Sequence, residues 1–120
     1  MIGNNKSWPT ELRLRGEGRT LTIAFDDGKS FDLAAEYLRV ESPSAEVQGH
    51  SPSERQTVPG KQNVAIKEIQ PTGNYAVRLL FDDGHSTGIY SWTWLRELGE
   101  QHDQKWRDYL ASLSAKGLSR

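Results

Sequence analysis

Two short strings concentrate the residues best suited to chemistry. Phe81-Asp82-Asp83-Gly84-His85-Ser86 joins paired carboxylates to an imidazole, and Phe25-Asp26-Asp27-Gly28-Lys29-Ser30 repeats it with lysine in place of histidine. Paired aspartates beside a histidine suggest a hard-cation or acid/base site. A calcium loop, however, needs several oxygen ligands in a D-x-[DN]-x-[DN]-G order, which neither string has. The other histidines, His50 and His102, complete neither an H-x-D iron motif nor an H-E-x-x-H zinc motif. "VPGKQ" has a Gly-Lys pair without the rest of a phosphate loop. His85 and Ser86 are neighbours on an extended chain and point to opposite faces, so they are not in themselves a nucleophile and its base.

Geometry explains the strings more simply. Leu21, Ile23 and Phe25 recur at every second position, as do Val77, Leu79 and Phe81, with Thr22 and Arg78 between them, which is the pattern of a half-buried strand. With Ile23 opposite Phe31 and Leu21 opposite Leu33, Asp26, Asp27 and Gly28 form a three-residue hairpin loop with glycine at its left-handed position. The same count sets His85 opposite Phe81; a five-residue loop would keep the same first-copy pairing.

Around these hairpins the chain reads β-β-β-α twice. "ELRLR" and "NVAIKEI" precede the central strands, "KSFDL" and "HSTGIY" follow, and "AAEYLR" and "SWTWLREL" have helical character. Placing Phe25 on Phe81 superimposes the strings with an offset of 56, an internal pseudo-repeat. The expected fold is α+β and β-rich: two three-stranded antiparallel meanders in a curved sheet or small sandwich, with short helices and a C-terminal amphipathic helix. In that last helix Trp106, Tyr109, Leu110 and Leu113 share a face, and Gly117 stands at its C-terminal cap. Ser91 is placed to cap the preceding helix, where Trp92, Trp94 and Leu95 supply core.

The 120 residues suit one domain, with residues 1–8 expected as a flexible N-terminus and 41–62 as a long polar loop, a common seat of function. A formal charge of -1 gives no field to attract nucleic acid or an anionic membrane. The absence of cysteine excludes disulfides and thiolate ligation, and fits a reducing cytosol. No export signal or membrane-length apolar run is visible, so a cytoplasmic location is expected and Asn5-Lys6-Ser7 is read as a chance glycosylation match.

"WPTELRL", "FDDGKSFDLAAEYLRVESPSAEVQGH" and "GNYAVRLLFDDGHSTGIYSWTWLREL" together resemble the gamma-butyrobetaine hydroxylase-like N-terminal domain family. The most specific element is Asp83, Gly84, His85 and Ser86, followed by Tyr90, Trp92 and Leu95. The resemblance implies a module that precedes a 2-oxoglutarate, iron(II)-dependent oxygenase domain, or is joined to an iron–sulfur carrier P-loop ATPase. The oxygenase's own iron ligands belong to the other domain. In zinc-bearing members it implies a C-P-C-x-x-C run with the histidine of the turn as fourth ligand. Here Ser42, Ser44 and Val47 stand at the cysteine positions and His85 alone matches, so no metal and no cofactor is expected. The hydroxyls of Ser42 and Ser44, or nearby carbonyls, are expected to hydrogen-bond His85 instead.

Two function classes follow. The first is a non-catalytic binding or adaptor module with a protein partner, by resemblance an oxygenase or an iron–sulfur carrier ATPase, with His85, Ser42, Ser44 and Tyr90 as its candidate residues. The alternative is a small enzyme or ligand-binding protein using a pocket near His85, Tyr90 and His50, with Asp82 or Asp83 as acid/base group. Arg13, Arg15 and Arg19 form too short a basic patch, without interleaved aromatics, for nucleic-acid binding.

Overall fold

The computed structural model describes residues 8–120; residues 1–7 of the expected flexible N-terminus lie outside them. Strands β1 (Pro9–Arg15), β2 (Thr20–Phe25) and β3 (Ser30–Ala34) form one antiparallel sheet, in the order β1-β2-β3. Strands β4 (Ile66–Thr72), β5 (Ala76–Phe81) and β6 (Ile89–Ser91) form a second, in the order β4-β5-β6. The helices are α1 (Ala35–Val40), α2 (Ala45–Gln48), α3 (Trp92–Glu100) and α4 (His102–Ala115). The two meanders are thus separate sheets, and they share one core. Leu21, Ile23, Phe25 and Leu33 from the first meet Ile66, Val77, Leu79, Phe81 and Tyr90 from the second, with Leu38, Leu95 and Leu98 from α1 and α3. Period-two alternation puts Leu21, Ile23 and Phe25 of β2 and Val77, Leu79 and Phe81 of β5 on the shared face, with Thr22 and Arg78 on the other.

In the first hairpin Ile23 pairs with Phe31 and Leu21 with Leu33. Both turns have the three-residue form. Phe25 N–H donates to Lys29 O at 2.8 Å and Phe81 N–H to His85 O at 2.9 Å, with Gly28 and Gly84 at φ 90° and 93°, where a side chain is disfavoured.

The second copy departs from the simple offset. Val77 pairs with Tyr90, not with the residue 56 after Leu33, and residues 86–88 form no ladder before β6 begins. One extra residue after the DDG turn moves the correspondence to 57, so that Leu33 matches Tyr90. The first strands also correspond at 57: Leu12 faces Ile23 as Ile69 faces Leu79, and both strands carry a register shift two residues earlier. The alternation of buried residues hides such shifts, because a bulge restores the inward face after a single irregular residue.

Segment 41–62, expected as a polar loop, carries α2 and a 3-10 turn at Pro52–Glu54. Val47 is buried, Val58 packs against Val40, Tyr109 and Leu113, and Tyr109 Oη donates to Val58 O at 2.6 Å. Two valines and backbone hydrogen bonds anchor a stretch whose composition is otherwise polar.

In α4, Tyr109 and Leu113 are buried and Trp106 packs beside them, whereas Leu110, expected on the same face, is exposed. The stripe is the narrower i, i+3, i+7 set. Its end is a Schellman arrangement: Leu118 N–H donates to Leu113 O at 2.9 Å and Gly117 N–H to Ser114 O at 3.1 Å, with Gly117 at φ 68°. Gly117→Ala meets no neighbouring atom, so its cost is purely conformational. It is expected to destabilise the chain by about 1 kcal/mol in urea unfolding. Ser91 accepts from Trp94 N–H at 3.0 Å as the cap of α3. Among the described residues no helix is long and apolar enough to cross a membrane.

Candidate functional site

The structure brings His85, at the end of the second DDG turn, against the chain leaving α1. Ser42 Oγ lies 2.9 Å from His85 Nε2 and Ser44 Oγ 3.5 Å from the same nitrogen. The contact expected of the two serines is present, with Ser44 at its outer limit. On the other side of the ring, Nδ1 is 3.1 Å from Glu46 Oε1, a partner the sequence reading did not single out. A carboxylate can only accept, so Nδ1 carries the proton and Nε2 accepts from the Ser42 hydroxyl. Ser42 Oγ in turn accepts the Ser44 N–H at 3.3 Å, and Thr87 Oγ1 donates to Glu46 at 3.2 Å. Tyr90 is fully buried beneath the corner, and its hydroxyl donates to Leu38 O at 2.6 Å. Burial raises its pKa above the normal tyrosine range, so it stays a neutral donor.

The two aspartates divide the work of the turn. Asp82 clamps the start of β4: its N–H donates to Ala65 O at 2.9 Å and its Oδ1 accepts from Ala65 N–H at 3.1 Å. Asp83 accepts the His85 N–H at 3.0 Å with Oδ1, while Oδ2 receives Arg39 Nε at 2.8 Å and Lys61 Nζ at 2.6 Å. Burial alone would raise the Asp83 pKa, but bonds from Lys61, the His85 amide and Arg39 outweigh it and hold the carboxyl far below the usual range. Neither aspartate is placed as an acid/base group, since both are committed to the turn. His50 is exposed, and its N–H donates to Glu54 Oε1 at 2.8 Å. The depression that opens beside Asp83 is lined by Gly60–Val64, Asp82 and Arg120, and not by His85, Ser42 or Tyr90.

For His85, burial and then the Arg39 charge lower the pKa below 6.5, with Glu46 and Asp83 pulling the other way. A lowered value in the folded state means that the unfolded chain takes the proton first. Stability should therefore be flat above pH 6.5 and fall as pH drops from 6.5 through the folded value. Urea unfolding between pH 7.5 and 5 is expected to show that slope, and His85→Gln to flatten it; an unchanged slope in the variant would refute the assignment.

Zinc in the family's manner does not fit these residues. Ser42, Ser44 and Val47 supply no thiolate, and His85 Nε2 is engaged by Ser42. Among the described residues no three His, Cys, Asp or Glu side chains gather where they could hold a metal ion. The corner instead fastens residues 42–46 to the hairpin by hydrogen bonds.

The order Ser42–His85–Glu46 also reproduces the contact order of a hydrolase triad. Its nucleophile is sealed, however: Ser42 has no exposed surface, and a Cβ built on Gly88 would lie 2.5 Å from its Oγ.

Comparison with known proteins follows the same lines. The profile of the family described as gamma-butyrobetaine hydroxylase-like, N-terminal, matches residues 12–96. Two proteins solved by solution NMR are similar throughout. One is 47% identical, covering 100% of this chain and 89% of that one with a TM-score of 0.84. The other is 46% identical, covering 95% and 90% with a TM-score of 0.81. A crystal structure of a protein with unknown function in the DUF971 family, from Acidithiobacillus ferrooxidans, is 41% identical, covering 76% of this chain and 91% of that one with a TM-score of 0.64. No curated protein matches.

Proposed function

This chain belongs to the gamma-butyrobetaine hydroxylase-like N-terminal family, and from that premise we propose that it is a non-catalytic binding or adaptor module that docks on a protein partner in the cytosol. The carrying observation is that its most chemical corner is internally satisfied. His85 is bonded through both nitrogens, Ser42 is inaccessible, and Asp83 is neutralised by two cations. Catalysis needs groups free to meet a substrate, whereas a closed corner holds a surface in shape. The resemblance supplies the partner candidates, an oxygenase or an iron–sulfur carrier ATPase. Affinity purification from the native cell under mild conditions is expected to recover a stoichiometric protein partner; recovery of the chain alone would overturn this reading.

The second reading, an enzyme or ligand-binding protein centred on His85, draws on the Ser42–His85–Glu46 order of contacts. A fluorophosphonate probe separates the two. No labelling is expected of a sealed Ser42, and stoichiometric labelling at Ser42 would replace the docking reading with a hydrolase.

A further inference from the structure

We infer that the chain is an internally duplicated molecule whose halves, residues 8–48 and 65–105, interlock by exchanging equivalent contacts across a pseudo-two-fold relation, so that the His85 corner is assembled from both halves and opens only with the whole fold. The corresponding positions lie 56 or 57 residues apart, and three kinds of contact between the halves come in reciprocal pairs. Arg39, on α1, clamps Asp83 in the second half's turn at 2.8 Å; Arg96, on α3, clamps Asp27 in the first half's turn at 2.7 Å. Tyr37 Oη donates to Leu98 O at 2.7 Å, and at the matching positions Trp94 Nε1 donates to Glu41 O at 3.2 Å. Close approaches are exchanged too. A Cβ on Gly99 would meet the Phe31 ring at 2.6 Å, and one on Gly88 would meet Ser42 Oγ at 2.5 Å. Residue i of one half touching j of the other, with the counterpart of j touching the counterpart of i, is the signature of an isologous interface, here within one chain.

Within each half the equivalences are equally regular. Asp26 N–H donates to Trp8 O at 2.8 Å as Asp82 N–H does to Ala65 O at 2.9 Å, and Ala35 N–H donates to Arg19 O as Trp92 N–H does to Tyr75 O. Even α2 has its counterpart in the first turn of α4, which continues where α2 stops at Gly49. Against this background one corner is differentiated. In the first half Phe31 fills the space against Gly99, with the Arg96 guanidinium 5.9 Å from its ring. In the second, glycine replaces the phenylalanine, serine replaces the glycine, and the imidazole of His85 lies where the first half has Lys29.

This inference does not depend on the docking reading. It predicts one cooperative unit, with the hairpins and the corner exchanging hydrogen together. In native-state hydrogen exchange on the full chain, the slowest amides of β2 and β5 are expected to share one opening free energy. Arg96→Gln, which breaks the clamp on the first half's turn, is expected to lower protection equally in β2, in β5 and at the His85 amide, by roughly 5- to 30-fold. Arg39→Gln should act on both sheets in the same way. Separate opening free energies for the two sheets in the natural chain, or an Arg96→Gln effect confined to β1–β3, would overturn it; the first outcome can be read even if the variant fails to fold.

Discussion

Ser42→Cys, Ser44→Cys and Val47→Cys combined are expected to give a chain that binds one zinc ion, while the natural sequence binds none. The geometry favours this. His85 Nε2 already points at positions 42 and 44 from 2.9 and 3.5 Å. Tetrahedral zinc with Zn–S near 2.3 Å and Zn–N near 2.0 Å separates its ligand atoms by roughly 3.5 Å. Glu46 already accepts from the far ring nitrogen, which fixes the tautomer a metal-bound imidazole needs. Zinc at about a hundredfold above its dissociation constant should stabilise the variant by about 2.7 kcal/mol, a rise in Tm on the order of 10 °C. Elemental analysis should give one zinc per chain, and a chelator should reverse the rise. The same three cysteines with His85→Ala should bind far more weakly. If the triple variant folds and takes up no zinc, positions 42, 44, 47 and 85 do not form one corner.

The turns and the central pairing were legible in the sequence because two physical signals agree on them. Alternation fixes which side chains of β2 and β3 face inward, and Asp-Asp-Gly fits the shorter of the two loop lengths that keep Ile23 opposite Phe31. The His85–Ser42 contact spans 43 positions and was reached only through the family resemblance. Nothing in the local pattern of "VESPS" announces a histidine partner. Glu46 escaped notice for a different reason. It is exposed, is the second residue of a four-residue helix, and is aimed at His85 only because α2 forms around the single buried Val47.

The exchange of Arg39 and Arg96 between halves was also hidden. Hydrophobic periodicity reports that a face is buried, and is the same whether a helix covers its own hairpin or the neighbouring one. Arginines at matching helical positions are informative only once the offset is known to be 57 in the helices and 56 in the turns. The extra residue beyond His85 is what disguised it. That insertion is also where the halves differ in chemistry, which places the functional question at residues 85–88 rather than at the shared aspartates.

Gly88→Ala tests that corner most directly, and is expected to destabilise the chain by about 1–3 kcal/mol. Gly88 has no positive φ to protect, so the cost is steric. The new Cβ would sit 2.5 Å from Ser42 Oγ and 3.0 Å from a carbon of the Tyr90 ring, and neither neighbour has room to yield. Tyr90 is pinned by its bond to Leu38 O, and Ser42 by those to His85 and the Ser44 amide. Relief has to come from the serine, because removing its hydroxymethyl opens the space the alanine needs. Gly88→Ala with Ser42→Gly should therefore regain much of the loss, whereas either change alone destabilises, giving a coupling energy above about 0.5 kcal/mol in a urea double-mutant cycle. Losses that simply add would mean that Gly88 and Ser42 do not meet. If they couple as expected, position 88 has no room for a side chain because a serine bonded to an imidazole occupies the place that Phe31 fills in the other half.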